Sequence, residues 1–146
     1  MSAKFVLDTD AMHEEFFSDT SLIGIVCALP PYRFCGLMNT CFDLKLTRDC
    51  ESDICVKTSQ NISYYFALYR NHVPMNSNKF SVYELKREKQ SLLPELKQLD
   101  YLFMIQGPNA EEDARQYIDA LRGINEIQLA RMIELEKLKN VDYLLV

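Results

Sequence analysis

The spacing of apolar residues changes several times along this chain, and those changes limit the folds that it can adopt. Four apolar residues recur at the spacing of one helical face near the start of the sequence: Leu22, Ile25, Val26 and Leu29. From Leu44 onward apolar and polar residues alternate, which is the spacing of a half-buried strand. Helical spacing returns before Gly123, and alternation returns after it. A chain that mixes both periods in this way favours an α+β fold.

The length and composition predict one globular domain. The chain has 146 residues, of which 48% are hydrophobic and 25% are charged. A chain of this length can bury about 68–70% of its unfolded surface, which is enough for one cohesive core. We therefore expect a single domain over residues 1–146, without a linker or an internal repeat.

Two helices are expected in the first third of the chain. Residues 22–29 favour a helix by their spacing, although the run is short enough to be a strand. Pro31 suits the first turn of a second helix over residues 31–42, because the N–H that proline lacks would have no partner there. Cys41 falls on the apolar stripe of this second helix, where a cysteine commonly acts as a small hydrophobe.

Alternating residues predict an antiparallel meander in the middle of the chain. Its four strands are expected around residues 44–46, 54–56, 62–68 and 79–86, and a further short edge strand over residues 4–8. Tyrosines such as Tyr65 and Tyr69 share one face of the third strand and could form an aromatic binding platform. Because tyrosine simply has a high strand preference, packing in the core or at an edge is favoured over that platform.

The last third of the chain predicts a strand, a helix and a strand. Asn109 followed by Glu112 resembles a capping box, and Gly123 stands where a left-handed C-cap is expected. A last strand over residues 127–133 would complete a right-handed crossover with the strand that follows Leu99. The tail beyond it is expected to dock on the body. The fold expected from all these elements is a mainly antiparallel five- or six-stranded sheet with two or three helices packed on one face.

Charge and cysteine content exclude several classes of protein. The net charge is −5, whereas a nucleic-acid-binding domain usually carries a basic footprint. The acidic start predicts no signal peptide, and no apolar run reaches the roughly 18 residues of a membrane span. Five cysteines, an odd number without paired metal-ligand spacing, predict reduced thiols and a cytoplasmic protein. Basic residues are enriched over residues 70–98, where a local basic patch could form.

Familiar catalytic patterns are missing from the sequence. It has neither a glycine-rich phosphate loop nor a G-x-S-x-G elbow, and its two histidines, His13 and His72, lie in predicted loops without zinc-ligand spacing. We therefore expect no cofactor, no metal and no catalytic residue that the sequence can identify. An enzyme is unsupported rather than excluded, because a raised-pKa acid in an apolar pocket leaves no sequence signal.

One short motif supports a resemblance to a known family. Leu93-Pro94-Glu95, three further residues and then Leu99-Asp100-Tyr101 resemble the signature of the IPExxxVDY family, with leucine in place of isoleucine and of valine. The resemblance implies a small cytosolic protein of Bacteroidota without an assigned activity. In such families the genes often lie near those for fatty-acid synthesis. Acyl carrier protein is acidic, so this chain would need a local basic face in order to bind it.

The signature can be explained by structure alone or by a binding site. Pro94 pushes Leu93 out of the helical region, and Glu95 is placed to accept N–H groups of a short turn. Asp100 could then cap a neighbouring turn, while Tyr101 packs with its hydroxyl hydrogen-bonded at the rim. The competing interpretation is a ligand or partner site formed by Pro94, Glu95, Asp100 and Tyr101.

Two classes of function follow from these observations. The favoured one is a non-catalytic interaction or adaptor module that binds a protein partner through an exposed aromatic or basic surface, or forms a homodimer through an edge strand. The alternative is a small-molecule-binding regulatory or enzymatic domain with its site near Glu95, Asp100, Tyr101 and Gly107. A polar-lined pocket there would favour the alternative, and a flat apolar patch would favour the interaction module.

Overall fold

A computed structural model of the chain describes residues 19–49, 51, 53–57, 60–71, 79–87 and 90–134. The elements in these ranges are β1 (Thr20–Cys27), α1 (Pro31–Phe42), β2 (Leu46–Arg48), β3 (Ile54–Lys57), β4 (Ser63–Phe66), β5 (Leu68–Asn71), β6 (Lys79–Glu84), β7 (Lys86–Arg87), β8 (Gln90–Ser91), a 3-10 turn (Pro94–Leu96), β9 (Tyr101–Gln106), α2 (Ala110–Arg122) and β10 (Ile127–Ile133). The strand expected over residues 4–8, the C-terminal tail and both histidines lie outside the described residues.

Six strands form the main sheet, in the order β10-β1-β9-β6-β5-β2, and every neighbouring pair is antiparallel. β3 pairs with β4, and β7 with β8, in two small two-stranded sheets. The prediction of an α+β domain with a mainly antiparallel sheet is confirmed. In the described part of the chain, no helix is long and apolar enough to cross a membrane.

The first predicted helix is wrong, because residues 20–27 form strand β1. This strand lies between β9 and β10 in the sheet and is covered on both faces. Ile23 and Ile25 pack in one core cluster, whereas Leu22 packs in another. A strand that is buried on both faces reads as a continuous apolar run, which cannot be distinguished from a buried helix by spacing.

The second predicted helix is confirmed as α1, with Pro31 in its first turn. Its buried face is formed by Phe34, Cys35 and Met38. Cys41 is exposed rather than part of that face, so its predicted role as a core residue is wrong. The helix ends at Asp43, which adopts the left-handed conformation with φ 54°.

The predicted meander is divided between two sheets. The run predicted as one strand over residues 62–68 is interrupted at Ala67: β4 before it pairs with β3, and β5 after it pairs with β2 and β6. At this interruption the backbone N–H of Glu84 donates to the carbonyl of Ala67 at 3.0 Å. The two tyrosines are separated as a result, because Tyr65 is exposed whereas Tyr69 is buried.

β9, α2 and β10 form the predicted strand-helix-strand unit, and its two strands are parallel to each other with β1 between them. Asn109 precedes α2, but its side chain makes no capping hydrogen bond, so the predicted capping box is not formed. Gly123 ends the helix with φ −86°, and the predicted left-handed C-cap is wrong. The apolar stripe of α2 is buried as expected.

The two faces of the main sheet carry separate core clusters. We call the first the helix-side layer: α1 and α2 pack there on residues such as Ile23, Ile25 and Phe103. We call the second the signature-side layer: residues of β3, β4 and the segment 92–99 pack there on Leu22, Leu102 and Met104. Both helices therefore lie on one face, as predicted, and the motif segment covers the other face.

Candidate functional site

The family-like motif folds as a short turn that inserts leucines beneath the sheet. Leu93 is extended, with φ −121° and ψ 103°, and a 3-10 turn begins at Pro94. Leu93, Leu96 and Leu99 are buried in the signature-side layer. Pro94 sets this geometry because it disfavours the helical region for the residue before it.

Gly24 makes room for this turn in the middle of β1. A side-chain carbon at Gly24 would clash with Cδ1 of Leu99 and would lie 2.9 Å from Cδ1 of Ile133. Both of those side chains belong to the signature-side layer. The glycine therefore permits close approach between β1 and the motif segment.

Asp100 joins three strands at one end of the sheet. Its Oδ2 accepts a hydrogen bond of 2.9 Å from the backbone N–H of Cys27, and its own N–H donates to the carbonyl of Ile25 at 2.9 Å. Its Oδ1 lies 3.5 Å from Nζ of Lys86. Both carboxylate oxygens thus have partners within the protein.

Tyr101 is held at the start of β9 by one hydrogen bond and one ring contact. Its hydroxyl donates to the carbonyl of Leu29 at 2.5 Å. Its ring stacks on Phe34 with the centroids 4.2 Å apart. Burial raises the pKa of Tyr101 well above its ordinary value, so the phenol remains a neutral hydrogen-bond donor.

Glu84 is a buried carboxylate that we did not identify from the sequence. Its Oε1 accepts a hydrogen bond of 3.0 Å from the backbone N–H of Ala67, and its Oε2 lies 3.5 Å from an Nη of Arg87. It lies opposite Tyr101 in the pairing of β6 with β9. Phe80 and Val82 precede it at period two on the helix-side face. An acidic residue at the next position of this apolar repeat is the sequence feature that indicates a buried carboxylate.

Two thiols lie near this end of the sheet and are buried. Burial raises the pKa of the Cys35 thiol from 9.0 to about 12. Burial also raises the pKa of Cys27, although a hydrogen bond with the backbone of Leu29 opposes that shift. A nucleophilic cysteine needs the thiolate, and both environments disfavour it.

The structure brings some of the predicted site residues together and separates others. Asp100 and Tyr101 are adjacent at the start of β9, and Glu84 lies beside them. Gly107 follows the other end of that strand, at a distance of roughly 20 Å for a strand of this length. The predicted small-molecule site that combines Gly107 with Asp100 and Tyr101 is therefore not assembled.

The predicted basic patch is only partly assembled. Arg70 is paired with Asp49, with Nε and Oδ2 3.5 Å apart. Lys79 begins β6, whereas Lys86 and Arg87 follow its far end. Only the pair Lys86 and Arg87 is contiguous among these positions.

The outer face of the β3–β4 hairpin carries exposed apolar side chains. Tyr65 is 56% exposed, and Ile62 in the adjoining turn is also exposed. Tyr65 lies opposite the exposed Cys55 in the hairpin register, and a hydrogen bond with that thiol raises the pKa of Tyr65. β4 also contacts β7. We call Cys55, Ile62, Tyr65, Lys86 and Arg87 the hairpin surface.

Two clefts lie away from the motif. One of about 470 Å³ opens between α1 and α2, and its walls include Phe42, Phe80 and Tyr117 with Asp43 and Asp113. The other, of about 890 Å³, lies beside the start of α2 and is lined mainly by polar residues. No cluster of three or more His, Cys, Asp or Glu side chains that could hold a metal ion occurs in the described ranges.

Comparison of the chain with models of protein families, with curated proteins and with solved structures finds no match.

Proposed function

We propose that this protein is a non-catalytic interaction module that binds an acidic protein partner through the hairpin surface. The observation that carries the proposal is the exposed side chain of Tyr65 on a hairpin that leaves the main sheet. A tyrosine at such a position offers a large apolar face together with a hydroxyl donor, a combination that is enriched in protein interfaces.

The charges beside the hairpin favour an acidic partner. The side chain of Arg87 is 48% exposed, whereas Glu84, with which it pairs, is 7% exposed. Lys86 is likewise more exposed than Asp100. In both pairs the cation is therefore more exposed to solvent than the carboxylate. The local surface is positive, although the chain carries a net charge of −5. Such complementarity determines the choice of partner and the association rate more than the affinity.

The arrangement of the reactive groups supports binding over catalysis. Asp100 and Glu84 each use both carboxylate oxygens within the fold, and the thiols of Cys27 and Cys35 have raised pKa values. Catalytic groups commonly have pKa values shifted toward the operating pH, and the pKa values of these thiols are shifted away from it.

We include in the proposal membership of an IPExxxVDY-like family and a cytoplasmic setting. The motif supports the first, and the cysteine pattern supports the second.

A comparative capture experiment tests the proposal. The immobilised full chain is incubated with a bacterial lysate, and the retained proteins are quantified by mass spectrometry for the wild type, Tyr65→Ser and Arg87→Glu. Tyr32→Ser is the matched control, because Tyr32 is 70% exposed but lies on α1. We expect acidic proteins to be retained by the wild type and the control and lost with the other two variants. Equal retention by all four proteins would contradict the proposal.

The cleft between α1 and α2 favours a second candidate, a small-molecule-binding regulatory or enzymatic domain. Its volume of about 470 Å³ lies within the range of small-molecule sites, roughly 300–1,000 Å³. Phe42 and Tyr117 line it beside Asp43 and Asp113, which suits a cationic ligand with an apolar body. A thermal-shift screen of such compounds would support this candidate if a hit lost its effect in Tyr117→Ala but not in Tyr65→Ser.

A further inference from the structure

The two edges of the main sheet differ in length and in protection. β2 forms one edge and has only three residues, Leu46–Arg48. β10 forms the other edge with seven residues, Ile127–Ile133, and within the described residues it pairs only with β1. A long edge strand is a template for pairing with another chain, whereas a very short one is protected.

The direction of the backbone groups on β10 follows from the hydrogen bonds of β1. The carbonyl of Ile25 accepts from Asp100, so the backbone groups of Ile25 point toward β9. Ala130, which lies opposite Ile25, must then direct its N–H and C=O away from the sheet. Consistent with this direction, the carbonyl of Ala130 accepts a hydrogen bond of 3.3 Å from Nε of Arg122. By the same alternation Met132 also points outward.

We propose that a second copy of this chain pairs with β10 in antiparallel register about a two-fold axis at Ala130, with the side chain of Arg122 released from the carbonyl of Ala130. This interface is distinct from the hairpin surface. In that register Leu129 of one copy lies opposite Arg131 of the other, on the signature-side face. Leu129 is 43% exposed, and the methylene stem of an arginine can cover such a side chain while its charge remains in water.

The charges on α2 fit a second copy in this arrangement. Helix α2 packs on β10 and β1, so the α2 helices of the two copies would be neighbours that run antiparallel. The first turn of α2 carries Glu111, Glu112 and Asp113, and its last turn carries Arg122. The acidic end of each helix would therefore face the basic end of the other, and the opposed helix dipoles would add to the attraction.

A charge exchange at two exposed positions tests both the dimer and its register. Sedimentation equilibrium over a range of concentrations should give twice the chain mass of 17.0 kDa for the wild type. Leu129→Arg would place two cations opposite each other, and we expect it to weaken dimerisation at least ten-fold. Leu129→Glu would face Arg131 of the second copy and should keep the dimer or strengthen it.

The double variant Leu129→Arg with Arg131→Glu restores opposite charges and should recover the dimer. All four proteins should keep the same thermal stability as monomers, because both positions are exposed. A wild type that is monomeric at every concentration would overturn the proposal. Equal weakening by Leu129→Arg and Leu129→Glu, or no rescue in the double variant, would also overturn it.

Discussion

The two faces of the main sheet are covered in different ways. On the helix-side layer α1 and α2 satisfy most of their own backbone groups, and they pack on the sheet mainly through apolar stripes. On the signature-side layer the cover is a hairpin and a short turn. The carboxylates of Asp100 and Glu84 each accept a backbone N–H where these segments join the sheet. Asp100 of the motif and Glu84 of β6 thus stabilise the junctions between this cover and the main sheet.

The largest effect is expected from removing one leucine on either face. Leu99→Ala and Leu121→Ala each truncate a fully buried side chain, in the signature-side and helix-side layers respectively. Each should lower the free energy of unfolding by about 2–5 kcal/mol, measured by urea denaturation. A loss of well under 1 kcal/mol for Leu99→Ala alone would mean that the motif segment does not form a true core.

A second effect is expected at alkaline pH from a buried thiol of the helix-side layer. Cys35 has a pKa raised from 9.0 to about 12, so unfolding releases its proton at pH values between these limits. The stability that its neutral form contributes is complete below pH 9 and is lost as the pH rises toward 12. At pH 11 this loss should be about 2–3 kcal/mol relative to pH 7. Cys35→Ala should show a correspondingly smaller decline in urea denaturation at the two pH values.

Alanine substitutions at Gly24 and Gly36 give a matched comparison, with smaller expected changes in stability. Gly24→Ala would force the methyl group against Leu99 and should destabilise the protein by about 1–3 kcal/mol. Gly36 lies on the exposed side of α1 with no neighbour near its Cβ position. Gly36→Ala should therefore stabilise the protein by up to about 1 kcal/mol. A similar small gain at both positions in thermal denaturation would contradict the close contact at Gly24.

The helices were predictable from the sequence, whereas several strands were not. α1 and α2 show helical stripes bounded by Pro31 and Gly123, and each is amphipathic because only one of its faces is buried. β1 was predicted as a helix because both of its faces are buried and the alternation is lost. The break at Ala67 depends on a contact with Glu84, which is distant in sequence, and no local pattern reports it.

Only those features of the candidate site that depend on neighbouring residues in the sequence were predictable. The extended conformation of Leu93 and the hydrogen bond made by the hydroxyl of Tyr101 follow from the chemistry of those residue types, and the structure confirms both. Asp100 accepts a backbone N–H, but its donor is Cys27 at the end of strand β1 rather than a residue of a turn. The separation of Gly107 from Asp100 depends on where β9 begins and ends. The hairpin surface depends on which tyrosine precedes the break at Ala67, so the sequence alone could not distinguish Tyr65 from Tyr69.

The most direct test of the structural role of the motif is the free energy of unfolding of Asp100→Ala. Its carboxylate accepts the buried N–H of Cys27, and leaving such a donor unpaired costs about 1–3 kcal/mol. Asp119→Ala is the control, because Asp119 is an exposed carboxylate on α2 and should change stability by no more than about 0.5 kcal/mol. We predict that urea denaturation will show the larger loss for Asp100→Ala. Wild-type stability in that variant, together with the loss of partner capture, would contradict the structural role and assign the motif to binding.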